Sequence, residues 1–190
     1  MLKELKEKIC SVLNDWIFDQ DKMAEIILEE LNEHIKLDEL AGSEVTFEFI
    51  DELTEEEIIT IESEEKGSTE EGEILAVTIA DNPDVFKIVF VQDAMKRFIS
   101  SVNPFEARDR IKGIAKHEAF HVRQYNYMIK KGGMDAIGRF ALYSKQNHYE
   151  DNLLEEGAVR YQYFDEEQDF SVFDRFIEPK TLAAKKNSPY

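Results

Sequence analysis

Hydrophobic positions in the first 35 residues recur every three or four. Leu2, Leu5, Ile9, Val12 or Leu13, and Trp16 form one set; Met23, Ile26, Ile27, Leu31 and Ile35 form a second. Such spacing gathers apolar side chains on one helical face, predicting a first helix of about four turns and a second from about Asp21 to Ile35. His34, at the end of the second helix, is expected to be exposed. The period then changes. Val45-Thr46-Phe47-Glu48-Phe49 alternates apolar with polar, as a strand with one buried face does, and Ile58-Ile59-Thr60-Ile61 is β-branched and predicts another strand. Residues 63–72 are polar and carry two glycines, which predicts a hairpin loop. Ile74–Ile79 and Phe86–Val91 are the firmest strands, joined by a turn at Asp81-Asn82-Pro83-Asp84.

The rest reads as helical. A short helix from about Asp93 to Ser100 leads to a long one opening at Asn103-Pro104-Phe105-Glu106, where Asn103 suits a cap, Pro104 the first helical position and Glu106 a capping box. Phe105, Ile111, Ile114, Ala115, Ala119, Val122 and Tyr125 keep helical spacing until Gly132-Gly133 stops it. Met134, Ile137, Phe140, Ala141 and Tyr143 suggest a further helix. Another, from Tyr149 to Phe164, shows Leu154, Ala158 and Tyr161 on its apolar face. Phe170–Ile177 holds five large apolar residues in eight and should dock on the body of the protein, with Pro179 ending regular structure. These elements predict an α+β fold in which an antiparallel sheet of three or four strands packs on helices. One domain is expected over residues 1–190: a helical pair (1–40), the sheet (45–92), the long and following helices (103–165) and a docked C-terminal segment (170–190).

Composition adjusts this picture in two ways. A hydrophobic share of 43% is enough for a packed core, so the net charge of −18 belongs to the surface. That charge repels phosphate backbones and anionic lipid, which excludes nucleic acid and membrane as expected partners and leaves a basic peptide or protein as the better fit. The single cysteine, Cys10, forbids an internal disulfide and suits a reducing, cytoplasmic setting. The N-terminal residues alternate charged with apolar and match neither a signal peptide nor a membrane span.

The chemistry concentrates in His117-Glu118-Ala119-Phe120-His121, an HExxH run inside the long helix. Residues four apart on a helix stand one above the other, so both imidazoles project from one face and suit a tetrahedral Zn²⁺. Glu118 is placed to accept a proton from a water held by the metal. A third ligand is still needed. The metzincin pattern is excluded because Gln124 and Tyr127 stand where it requires a glycine and a histidine. On the helix from Tyr149 to Phe164, Glu155 lies on the flank of the apolar face and Glu156 points nearly opposite. Glu155 is therefore the favoured ligand, with Glu156 and Asp151 as alternatives.

In these residues the chain resembles the gluzincin branch of zinc metallopeptidases, over roughly residues 104–165, with Glu155-Glu156-Gly157-Ala158 matching the Glu-x-x-Ala start of its ligand helix. The resemblance implies a zincin-like fold, a Zn²⁺ cofactor held by His117, His121 and Glu155, and peptide hydrolysis with Glu118 as general base. It also implies a sheet over the metal helix whose rim strand pairs with substrate, at Phe86–Val91 or its neighbour. The chain departs from the family at Val159, where many members carry an Asp that orients the first histidine; Asp151 or Gln162 is expected to replace it. His148 and Tyr149 are the favoured donors to the developing oxyanion, ahead of Tyr143 and Tyr161. A catalytically inactive zincin-like interaction protein and a zinc hydrolase of a non-peptide amide or ester are the competing expectations.

Overall fold

The computed structural model describes residues 19–35, 40, 42–54, 68–70, 73–100, 102, 104–146 and 153–177. The expected first helix with Cys10, the Ile58–Ile61 strand, the Asn103 cap, His148, Tyr149, Asp151 and the tail from Pro179 lie outside these residues.

Helix α1 (Gln20–His34) begins where Asp19 caps it, its carboxylate accepting from the backbone N–H groups of Asp21 and Lys22. Its apolar set is the expected one, with Met23, Ile26, Ile27, Leu31 and Ile35 all buried. Strands β1 (Glu44–Ile50), β3 (Glu73–Asn82) and β4 (Val85–Val91) form a mixed sheet, and a short strand β2 (Ser68–Glu70) lies on its outer side; the order is β1-β4-β3-β2.

Two sequence expectations are corrected here. The segment 63–72 is not loop throughout, because 68–70 pairs with β3. The sheet is not wholly antiparallel either: β3 and β4 form the hairpin, but β1 runs parallel to β4 with Phe47 opposite Ile88. Burial explains the arrangement. Val85–Val91 is buried at Phe86, Ile88, Val89, Phe90 and Val91, so both of its faces are covered and it takes a central place. β1 alternates between exposed and half-buried positions and takes the edge. As a central strand β4 has both edges paired and cannot accept a substrate strand, which removes Phe86–Val91 from that role.

Helix α2 (Gln92–Ser100) follows β4 directly. Helix α3 (Pro104–Gln146) packs against α1, β3 and the later helices. It is broken at Gly133, whose φ of 64° and ψ of −171° suit glycine alone, so the glycine pair interrupts the helix as expected and regular turns resume beyond it. On one side of α3 a basic row at four-residue spacing, Arg108, Lys112 and Lys116, meets Glu29 and Glu30 of α1 and Asp165. Helix α4 (Leu153–Phe164) lies against α3. A 3₁₀ turn (Phe170–Phe173) and a short helix α5 (Asp174–Ile177) then dock as anticipated, burying Phe173 and Phe176 against Phe140. A continuous apolar cluster joins α1, the sheet, α3 and this last segment.

Candidate metal centre

His117, His121 and Gln124 occupy positions i, i+4 and i+7 of α3 and so share one stripe. On α4 the corresponding stripe carries Glu155, Ala158 and Gln162. The two stripes face each other. His117 Nε2 lies 3.1 Å from Glu155 Oε2, His121 Nε2 lies 3.3 Å from Glu155 Oε1, and the two Nε2 atoms are 3.0 Å apart. All three side chains are buried.

These separations are compatible with a metal site. Donor atoms about 2.1 Å from one tetrahedral zinc stand about 3.4 Å from each other, close to the spacing of the two imidazole nitrogens and the carboxylate oxygen nearest each. The outer imidazole nitrogens fix which nitrogen faces inward. His117 Nδ1 is 3.1 Å from Gln162 Oε1 and His121 Nδ1 is 2.8 Å from Gln124 Oε1. An amide oxygen only accepts, so each Nδ1 carries the proton and donates it, leaving both Nε2 atoms as the metal-facing ones. Two such lone pairs 3.0 Å apart beside a carboxylate repel unless a cation, either a proton or a metal ion, lies among them. His117, His121 and Glu155 are thus able to hold a metal ion.

The electrostatics agree. Burial acts to lower the His121 pKa, but the charge and hydrogen bond of Glu155, aided by the charge of Glu118, outweigh it and raise the value from 6.5 to about 9. Burial acts to raise Glu155, yet the charge of His121 and the nearness of both imidazoles to its carboxylate bring it from 4.5 down to about 2. The site is built around positive charge.

Glu118, between the ligands in sequence, is fully buried and turns toward the sheet. Its Oε2 accepts from Thr78 Oγ1 of β3 at 2.7 Å. Thr78 pairs in register with Ile88 and shares the helix-facing side of the sheet with it, which is why β3 reaches the metal helix here.

The other sequence candidates fall as follows. Glu156 is exposed and pairs with Arg160 at 2.7 Å, so it stands apart from the His117, His121 and Glu155 group. Tyr143 packs against Phe140 and Phe176 near α5, remote from the ligands in the fold. The Tyr161 ring stacks on Phe120, and its hydroxyl lies 2.9 Å from His34 Nδ1. His34 is consequently not exposed: it is half-buried between Tyr161 and Glu30, a long-range contact that its place at a helix end conceals.

Sequence reasoning missed Thr78, Gln168 and the role of Gln124. For Gln124 a signal existed, since it stands seven residues after His117 and three after His121 on the ligand stripe. Thr78 and Gln168 come from other elements and carry no local signal. The chain matches no protein family, no curated protein and no solved structure.

Proposed function

We propose that this protein is a zinc-dependent hydrolase of peptide bonds. The observation that carries the reading is the convergence of His117 Nε2, His121 Nε2 and the Glu155 carboxylate at mutual distances of 3.0 to 3.3 Å. Three protein donors, as His117, His121 and Glu155 would be, are the set expected of catalytic rather than structural zinc. When bound, the ion supplies Lewis acidity, bringing the pKa of a coordinated water towards neutrality and polarising a carbonyl.

The chain's own residues do the rest. Glu118 takes the proton of the attacking water and returns it to the leaving amine. Thr78 holds the Glu118 carboxylate while it waits. Gln162 and Gln124 keep the imidazoles in the tautomer that presents Nε2. His148 or Tyr149, just ahead of α4 in sequence, is the proposed donor to the carbonyl oxygen as charge develops on it. With β4 central, its neighbour β3, which reaches Glu118 through Thr78, is the strand offered to an extended substrate. The net charge of −18 favours substrates with basic side chains.

A second reading, a non-catalytic protein that binds a basic partner, is favoured by one observation: Glu118 is fully buried with its Oε2 engaged by Thr78. One experiment separates the two. The zinc-loaded protein is offered a diverse peptide library, and its Glu118→Gln variant is tested beside it. Cleavage that falls by about 10²- to 10⁴-fold in the variant, with zinc still bound, supports the hydrolase. Absence of cleavage by the zinc-loaded parent counts against peptide hydrolysis and favours the binding protein.

A further inference from the structure

Gln124 does more than hold one imidazole. Its Oε1 accepts from His121 Nδ1 at 2.8 Å, while its Nε2 lies 3.0 Å from the Leu154 carbonyl oxygen and 2.7 Å from Gln168 Oε1. Gln168 in turn donates from its own Nε2 to the Leu153 carbonyl oxygen at 2.9 Å. Leu153 and Leu154 are the first residues of α4, immediately before the ligand Glu155. A chain of amides therefore runs from the ring of one ligand to the first turn of the helix carrying another.

The first carbonyls of a helix already accept from later N–H groups, so these added bonds are not needed to complete the backbone. What they fix is the position of α4 relative to His121. Gly157 makes room for them. A Cβ at 157 would collide with Gln168 Oε1 and lie 2.8 Å from Gln124 Nε2. A glycine in a helix interior costs about 1 kcal/mol relative to alanine, and here the space it leaves is filled by the two amides.

We propose that Gln124 and Gln168 form an amide clamp that sets the distance between His121 and Glu155, with Gly157 kept small to admit it. Gln124 and Gln168 are positioning residues, and the proposal rests on the metal reading above. Its distinctive member is Gln168, which bonds neither imidazole nor the Glu155 carboxylate in these contacts and acts only through Gln124 and Leu153.

The test measures Zn²⁺ affinity by competition with a chromogenic chelator, the visible bands of the Co²⁺-substituted protein, and helicity by far-ultraviolet circular dichroism. Gln124→Ala, Gln168→Ala and Gly157→Ala should each weaken Zn²⁺ binding by about 10- to 100-fold and shift or weaken the Co²⁺ bands. The double variant Gln124→Ala/Gln168→Ala should lose less than the product of the single losses, because both cut one chain of bonds. Gly157→Ala is decisive where an amide variant folds poorly. A role confined to helix propensity would leave it more helical and equally tight for zinc, whereas the clamp makes it weaker. Wild-type Zn²⁺ affinity and Co²⁺ bands in Gln168→Ala and Gly157→Ala would overturn the clamp and leave the metal site standing. Absence of Zn²⁺ and Co²⁺ binding by the parent protein would overturn the metal reading and the clamp with it.

Discussion

Thr78 Oγ1 stands 2.7 Å from Glu118 Oε2 and 3.2 Å from the Glu118 carbonyl oxygen, so the single hydroxyl proton goes chiefly to the nearer carboxylate of the residue that follows His117. A carboxylate without solvent exposure depends on such donors, because an ion stripped of water is costly unless protein groups replace it. Thr78→Val keeps the shape and removes the donor. It should destabilise the fold by about 1.5–3 kcal/mol in urea unfolding, and Thr78→Ser should recover most of the loss. A Thr78→Val midpoint equal to that of the parent would show that the hydroxyl does not support Glu118.

Much of this centre could be read from spacing along single helices. His117 and His121 lie on one turn, Glu155 on the inner flank of the next long amphipathic segment, and Gln162 seven residues further along the same face. What could not be read depends on contacts between distant elements. Nothing local to Val45–Phe49 says that it pairs in parallel with β4 rather than in a hairpin, although its alternation does fit an edge. Thr78 looks like any strand threonine until the register with Ile88 turns it toward α3. His34 looks like a solvated helix end until Tyr161, 127 residues away, is placed on it.

Stability should respond to pH in opposite directions at the two members of the pair. His121 binds its proton more tightly folded than unfolded, so its contribution to the metal-stripped fold is complete below 6.5 and is lost as pH rises through about 9. Glu155 has a lowered pKa, so its contribution is complete above 4.5 and is lost as pH falls through about 2. Zinc competes with the His121 proton, and that competition fades over the same upper range. Thermal melts of stripped and zinc-loaded protein should therefore diverge increasingly between pH 6.5 and 9. Parallel curves across that interval would contradict the assignment of the proton to His121.

The two neighbouring glutamates at the start of α4 should behave unlike each other. Glu155→Ala removes the buried carboxylate that faces both imidazoles and leaves the pair without its counter-charge. Zinc affinity should fall by more than the roughly 10- to 100-fold expected for a group that only supports a ligand. Glu156→Ala removes an exposed carboxylate paired with Arg160, an interaction worth about 0.3–0.5 kcal/mol on a helix surface, and zinc affinity should hold. Calorimetric titration of both variants reads the difference directly. Equal losses would mean that the carboxylate nearest the imidazoles is not the ligand.

Two glycines of α3 offer a contrast in backbone alone. Among the described residues, no atom outside their own stretch of helix lies within 4 Å of where a Cβ at Gly133 or Gly138 would go, so packing against other elements does not enter. Gly133 has φ of 64° and ψ of −171°, a region that side chains resist by about 1–3 kcal/mol. Gly138 lies in regular helix, where alanine restricts the unfolded chain at no cost to the folded one. Gly133→Ala should lower the unfolding free energy by about 1–3 kcal/mol, and Gly138→Ala should raise it by about 0.4–1 kcal/mol. The break matters because Ala136 and Phe140, just beyond it, belong to the apolar cluster shared with Phe173 and Phe176. A stabilised Gly133→Ala would mean that the helix runs straight through, and the docking of the C-terminal segment would have to be redrawn.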